Sequence, residues 1–201
     1  PARGRHRAHG RDHRDAVGGK QAFHTPDGRS TWTYLNDALR EAFPTSSSVQ
    51  INRLVMDTSS TATLYAGTSI GSARVVRSTD GGQTWVAAAN GFPGSYTYQL
   101  EMAPDAPDTL YAVYWNGSAY AIARTSDGGD NWEAGGAVTN GSIGQLAVAP
   151  NDASVLYARS NAGIHYSDDA GDTWQMVNTG LPSGGSSVRG MVVVNAATVI
   201  V

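Results

Sequence analysis

Carboxylates and indoles recur together along this chain. Asp27, Asp80, Asp127 and Asp169 each stand third in an eight-residue segment ending on tryptophan: TPDGRSTW (25–32), STDGGQTW (78–85), TSDGGDNW (125–132) and SDDAGDTW (167–174). An acid that can move a proton, set beside an aromatic face, is a pairing that carbohydrate chemistry uses. Turn chemistry accounts for the same residues more simply. A short carboxylate accepts the backbone N–H groups that a tight connection leaves unpaired, and glycines supply the positive φ of such turns. Trp32, Trp85, Trp132 and Trp174 would then open an outer strand and bury their indoles. All eight residues are expected to be structural, with Asp130, Asp168 and Asp172 solvated in the same turns. Their spacing does not match an EF-hand loop, so no metal site is expected there.

Outside these segments the ionisable candidates are few. Hydrolysis of a glycosidic bond needs two carboxyl groups about 5–9.5 Å apart. Glu101 lies on a segment expected to line a central channel and is the candidate catalytic acid; Asp37 and Glu41 sit in an early connecting segment. Asp57, Asp105, Asp108 and Asp152 fall in turns that explain them. Trp115 is the one tryptophan outside an eight-residue segment. With Tyr114, Asn116 and Tyr120 in the same stretch, and Tyr96 and Tyr98 upstream, it forms the candidate substrate-binding set: ring faces for stacking, amide and hydroxyl groups for hydrogen bonds. His24 and His165 fall in matching third-strand regions, one residue apart in repeat register, and read as strand residues rather than a metal pair. No phosphate loop, nucleotide fingerprint or Ser-His-Asp pattern appears, and no cofactor is expected.

The elements that must position these residues follow from the repeat. The four aspartates are spaced by 53, 47 and 42 residues, the size of a four-stranded propeller blade. A second landmark keeps step: TLYAGT, TLYAVY and VLYARS place Tyr65, Tyr111 and Tyr157 at intervals of 46. Alternating apolar segments precede each tyrosine, and a third alternating run joins it to the next aspartate, so each unit contains four short strands. The stretch LNDALREAF (35–43) is expected to be a loop turn. The fold class is therefore all-β: radial antiparallel blades in an incomplete arc of about four. Whole blades are expected at 49–89, 97–136 and 143–178, partial ones at 18–35 and 190–201, and this count suggests a fragment of a larger propeller. Functional loops would join the second strand to the third, and the last strand to the next blade.

Composition narrows the classes further. Charged residues make up only 15% of the 201, and 24 are glycine, which suits a turn-rich globular chain without cysteine. No apolar run is long enough to span a bilayer, and no secretory signal is visible. Residues 1–20 hold six of the 14 basic groups and two acids, leaving a net charge of about −7 on the rest. The basic head, including His6, His9 and His13, reads as a solvated tail over 1–17, and no nucleic-acid partner is expected.

These eight-residue segments resemble the Asp-box, or bacterial neuraminidase repeat, superfamily of β-propellers over roughly residues 18–201. Similar units occur in sialidases, family 74 glycoside hydrolases that cleave xyloglucan, sortilin-type receptors and photosystem II assembly factors. The phrase LYAGT…RSTDGGQTW is closest to the xyloglucanase-like branch. The resemblance implies an exported protein, extracellular or periplasmic, that binds an oligo- or polysaccharide on the propeller top face. It also allows a non-catalytic scaffold with a protein partner. Sialidases carry a Phe-Arg-Ile-Pro-type motif and three arginines. Here Phe23, Phe43 and Phe92 precede His, Pro and Pro, and Arg159 and Arg189 stand apart, so an active sialidase is disfavoured.

Overall fold

A computed structural model describes residues 21–25, 30–57, 59–139 and 141–201. Asp27 and the basic head lie outside the described residues. Two short strands, β1 (Phe23–His24) and β2 (Thr33–Tyr34), pair and run into a helix, α1 (Leu35–Ala42). Three four-stranded antiparallel sheets follow. Blade I is β3 (Ile51–Met56), β4 (Leu64–Ile70), β5 (Ala73–Ser78) and β6 (Val86–Ala87). Blade II is β7 (Gln99–Ala103), β8 (Ala106–Trp115), β9 (Tyr120–Thr125) and β10 (Glu133–Val138). Blade III is β11 (Ile143–Ala149), β12 (Asp152–Ser160), β13 (Gly163–Ser167) and β14 (Gln175–Met176). The hairpin β15 (Val192–Asn195) and β16 (Thr198–Ile200) completes the arc. Each blade pairs its strands in sequence order, and the innermost strands β3, β7, β11 and β15 adjoin one another.

The apolar core lies between blades. Leu35 and Leu39 of α1 pack on Ile51 and Trp85; Tyr65, Val75, Leu100, Leu110 and Trp132 fill the joint between blades I and II. Ile122, Val138, Leu146 and Leu156 fill the next joint, and Tyr157, Ile164 and Met191 the last. A second strand sandwiched this way is buried on both faces, which is why β4, β8 and β12 carry unbroken apolar runs rather than an alternation. The hydroxyls of Tyr111 and Tyr157 donate to the carbonyls of Ala153 and Ala196 in the following unit, so this tyrosine ties blade to blade.

The inner strands carry a second tie. Positions 53, 99, 145 and 191 repeat at 46 residues. Arg53 donates through Nε and Nη2 to Gln99 Oε1, Gln99 Nε2 donates to the Gly144 carbonyl, and Gln145 both donates to and accepts from the Met191 backbone. Half-buried polar groups on the inner strands thus satisfy one another across blade boundaries.

Residues 35–42 are a helix, not the expected loop turn. Leu35 and Leu39, one turn apart, share a buried face. Buried Asn36 anchors the start, accepting from the Ala22 N–H and donating to the Val49 carbonyl. Asp37 and Arg40 pair on the exposed face at 3.2 Å.

The three described aspartate turns share one geometry. Asp80 accepts from Ser78 Oγ, the Thr84 N–H and Thr84 Oγ1; Asp127 accepts from Thr125 Oγ1 and from the Asn131 N–H and side-chain amide; Asp169 repeats the Asp80 pattern with Ser167 and Thr173. These donors favour the ionised form, and all three carboxyls fall to about 2. A depressed folded value means that the unfolded chain takes up these protons first. The stability from the turns is therefore complete above about pH 4 and is lost as pH falls from there through about 2. Asp169→Asn should lower the Tm at pH 7 and shrink its decline across that acid window, measured by circular dichroism.

Asp130 and Asp172 are exposed, as expected, and each also meets an arginine of the blade before it. Arg77 of blade I meets Asp130 at 3.2 Å, and Arg124 of blade II meets Asp172 at 2.7 Å, so a third-strand arginine clamps the turn of the following blade. Asp168 is exposed, as expected.

Candidate functional site

In blade II the chain enters the inner strand through Tyr96 and Tyr98, leaves the second strand at Trp115 and starts the third at Tyr120. Three separate segments thus reach the same end of one sheet. Trp115 pairs with Tyr120 across the β8–β9 hairpin. Four rings form a continuous edge-to-face series: Tyr96 to Tyr98 at 4.7 Å, Tyr98 to Tyr120 at 5.1 Å and Tyr120 to Trp115 at 5.2 Å between centroids. Such contacts fix ring orientation, so these faces are held in advance of any ligand. Trp115 remains 42% exposed and Tyr98 37%. The Tyr96 hydroxyl donates to Asn52 Oδ1 of blade I, which pins the far end of the series.

Beside Trp115 and Tyr120 lies a groove of about 280 Å³ between blades II and III, completed by Ser118, Val138, Ser142 and Asn161. Asn161 Oδ1 accepts the Ser142 N–H, bracing the wall contributed by blade III. None of the lining residues is charged. An apolar ring wall with hydroxyl and amide groups opposite can stack on the C–H face of a pyranose and exchange hydrogen bonds with its hydroxyls.

Two members of the expected binding set serve other purposes. Tyr114 is 5% exposed; it packs between Gly94, where a Cβ would come within 2.6 Å of the Tyr114 Cβ, and the ring of Phe92 at 6.0 Å. Alternation along β8 turns Tyr114 into the joint and Trp115 outward. Asn116 is exposed, but its Oδ1 accepts from the Ser118 and Ala119 N–H groups and so holds the hairpin turn.

Glu101 sits two residues along β7 from Gln99, opposite Tyr111. The positions opposite Tyr65 and Tyr157 hold Val55 and Ala147, so Glu101 places an acid where the neighbouring blades are apolar. Burial pushes its carboxyl up to about 7, with Arg53 opposing. Among the described residues no second carboxylate contributes to that shift. Asp37 and Glu41 instead line a separate hollow with His24, Tyr34 and Asp80 at α1. Arg159 lies on β12 with its guanidinium against Gly144, and Arg189 is exposed in the connection before β15. His165 is buried against Ser160 Oγ at 2.9 Å, a core pair, and burial lowers its pKa. The described His, Asp and Glu residues form no group able to hold a metal ion.

The repeated tryptophans diverge. Trp85 and Trp132 are 4% and 5% exposed and Trp174 is partly buried, but Trp32 is 62% exposed and does not bury its indole. Two missed features, the groove and the arginine clamps, involve residues from adjacent blades. The regular placing of Arg77 and Arg124 just before their turns was the one available signal.

No family model matches the chain. A xyloglucanase of a Paenibacillus species is 32% identical over 148 residues, a match that takes in 63% of this chain and 14% of that protein's length. A GH74 enzyme from Niastella koreensis has a similar structure, with a TM-score of 0.53 at 23% identity over 73% of this chain and 24% of that one. YCF48 from Cyanidioschyzon merolae reaches 0.50 at 18% identity, over 66% of this chain and 38% of that one. The chain is thus similar to part of larger proteins, and its fold is an arc of β-propeller.

Proposed function

We propose that this arc belongs to an exported, carbohydrate-active propeller that holds a glycan against the open ends of blades II and III, and that its repeated turns are Asp-boxes. The observation that carries this reading is the series Tyr96–Tyr98–Tyr120–Trp115 opening on the uncharged groove. The Paenibacillus relative makes xyloglucan the first ligand to try. Within this reading Glu101 is a candidate general acid: its carboxyl holds a proton up to about pH 7, as proton donation to a leaving oxygen requires. The opposing carboxylate of a hydrolase would come from outside the described residues.

Trp115→Ala should weaken binding of xyloglucan oligosaccharides by roughly 30-fold, about 2 kcal/mol, the scale at which a central aromatic anchor contributes. Titration calorimetry reads the loss, and an unchanged Tm would show that the blade still folds. Unaltered affinity in Trp115→Ala and Tyr120→Ala would remove the groove as the binding surface.

A second reading is a non-catalytic scaffold for a protein partner. It draws on the likeness to YCF48 and on the fact that no second carboxylate among the described residues contributes to the Glu101 shift. The same titration separates the two, because a scaffold would bind no glycan in the unsubstituted protein.

A further inference from the structure

The rim of the aromatic groove is the turn Asn116–Ala119, and its composition makes it chemically labile. Asn116 is exposed, and its Oδ1 accepts three hydrogen bonds: from the Ser118 N–H at 3.0 Å, Ser118 Oγ at 3.0 Å and the Ala119 N–H at 2.9 Å. Those donors draw electron density from Cγ and would stabilise the oxyanion formed when a nucleophile adds there. The Asn116 Nδ2 makes no hydrogen bond among the described residues, and neither does the Gly117 N–H. Gly117 is exposed with φ +104°, and a Cβ built on it would meet nothing within 4 Å, so no neighbouring group hems in its turn.

We infer that Asn116 is a covalent modification site, where the Gly117 backbone nitrogen displaces the side-chain amide to leave an aspartate or isoaspartate at the lip of the groove. The Gly117 nitrogen gives its proton to solvent and bonds to Cγ. The Cγ–Nδ2 bond then breaks and ammonia leaves with a proton from solvent, giving a five-membered imide. Water, the only co-reactant, opens the ring. Addition at Cγ yields aspartate; addition at the Asn116 main-chain carbonyl carbon yields isoaspartate. In sum one amide and one water become one carboxylic acid and one ammonia. Either product puts a negative charge one residue from Trp115, and isoaspartate also lengthens the backbone of the turn that sets Trp115 against Tyr120.

The same dipeptide at Asn90–Gly91 is an internal control. There Asn90 Nδ2 donates to Asn131 Oδ1 at 2.9 Å, and the Asn90 carbonyl accepts the Trp132 N–H at 2.9 Å. A Cβ at Gly91 would fall 2.8 Å from the Trp132 carbonyl oxygen, so this step is locked against blade II and cannot easily bend into the imide.

The full chain would be held in warm, mildly alkaline buffer and sampled for peptide mass mapping with isoaspartate detection. Asn116 should convert several-fold faster than Asn90. Gly117→Ala should slow conversion at Asn116 and leave Asn90 unchanged. Ser118→Ala, which keeps the glycine but removes the hydroxyl donor, should slow it in part. Conversion at Asn90 as fast as at Asn116, or an Asn116 rate indifferent to Gly117→Ala, would overturn the assignment. Mass mapping needs no ligand, so the result stands apart from whether the groove binds a glycan.

Discussion

Trp132→Ala should lower the free energy of unfolding by about 3–5 kcal/mol, the cost of emptying a large aromatic site in a packed core. The indole is 5% exposed, fills the joint between blades I and II and meets Phe92 edge-on at 5.3 Å. Its Nε1–H donates to the Ala88 carbonyl of blade I at 2.8 Å, whereas the Nε1–H groups of Trp85 and Trp174 donate to the glycine carbonyl of their own turn. Trp132 is therefore a bolt between blades as well as the end of a turn. Trp132→Phe should recover most of the loss and leave a deficit of about 1–2 kcal/mol from the missing N–H and smaller ring. Trp32→Ala, at an exposed indole, should change stability by less than about 0.5 kcal/mol. Urea unfolding followed by far-ultraviolet circular dichroism compares the three without relying on tryptophan emission. Equal losses in Trp132→Ala and Trp32→Ala would mean that the blade joint is not built as described.

Glu101→Gln should stabilise the protein above neutrality by up to about 3 kcal/mol, from a carboxyl raised from 4.5 to about 7. Between those values the folded protein keeps a proton that the unfolded chain has lost. Stability therefore falls as pH rises from about 4.5 through about 7, and the full penalty remains above that. Glutamine is neutral throughout, so the difference in stability between the two proteins should be near zero at pH 4 and grow across this window to its full size above about pH 7. Denaturant unfolding at a series of pH values checks this. A profile unchanged by the substitution would show that the carboxyl is hydrated and poorly suited to donate a proton. If the propeller that contains this arc hydrolyses glycan, the same substitution should cost roughly 10²–10⁴-fold in kcat, the range for a general acid. Gain in stability with loss of turnover is the signature of a buried functional acid.

The repeat was legible in the residues because each blade must solve the same local problems. A tight turn needs a short acceptor and positive φ, and a sandwiched strand needs apolar side chains on both faces. The equal spacing of Tyr65, Tyr111 and Tyr157 therefore located the β4, β8 and β12 strands, and the Asp–Trp segments located the turns. Glu101 could likewise be placed on an inner strand by counting from them. Helix α1 escaped that reading because its eight residues are held by partners far along the chain: Leu35 against the turn at Gly82, and Asn36 against Val49.

The amino-acid sequence by itself determined the strand order, the turns and the chemical types collected at the top of blade II, since these depend on neighbours within a few residues. Only the tertiary structure decided which of those types face a ligand. Tyr114 and Trp115 are adjacent and both aromatic, yet one fills a joint and the other walls a groove, because alternation along β8 sends them to opposite sides. The groove needs Ser142 and Asn161 from blade III, the fixing of Tyr96 needs Asn52 from blade I, and the pairing of Asp130 and Asp172 needs arginines one blade back. Each of these contacts joins residues from neighbouring blades, far apart in the chain. Local rules act within a blade; the angle at which blades pack, set by the apolar joints between them, brings the site together.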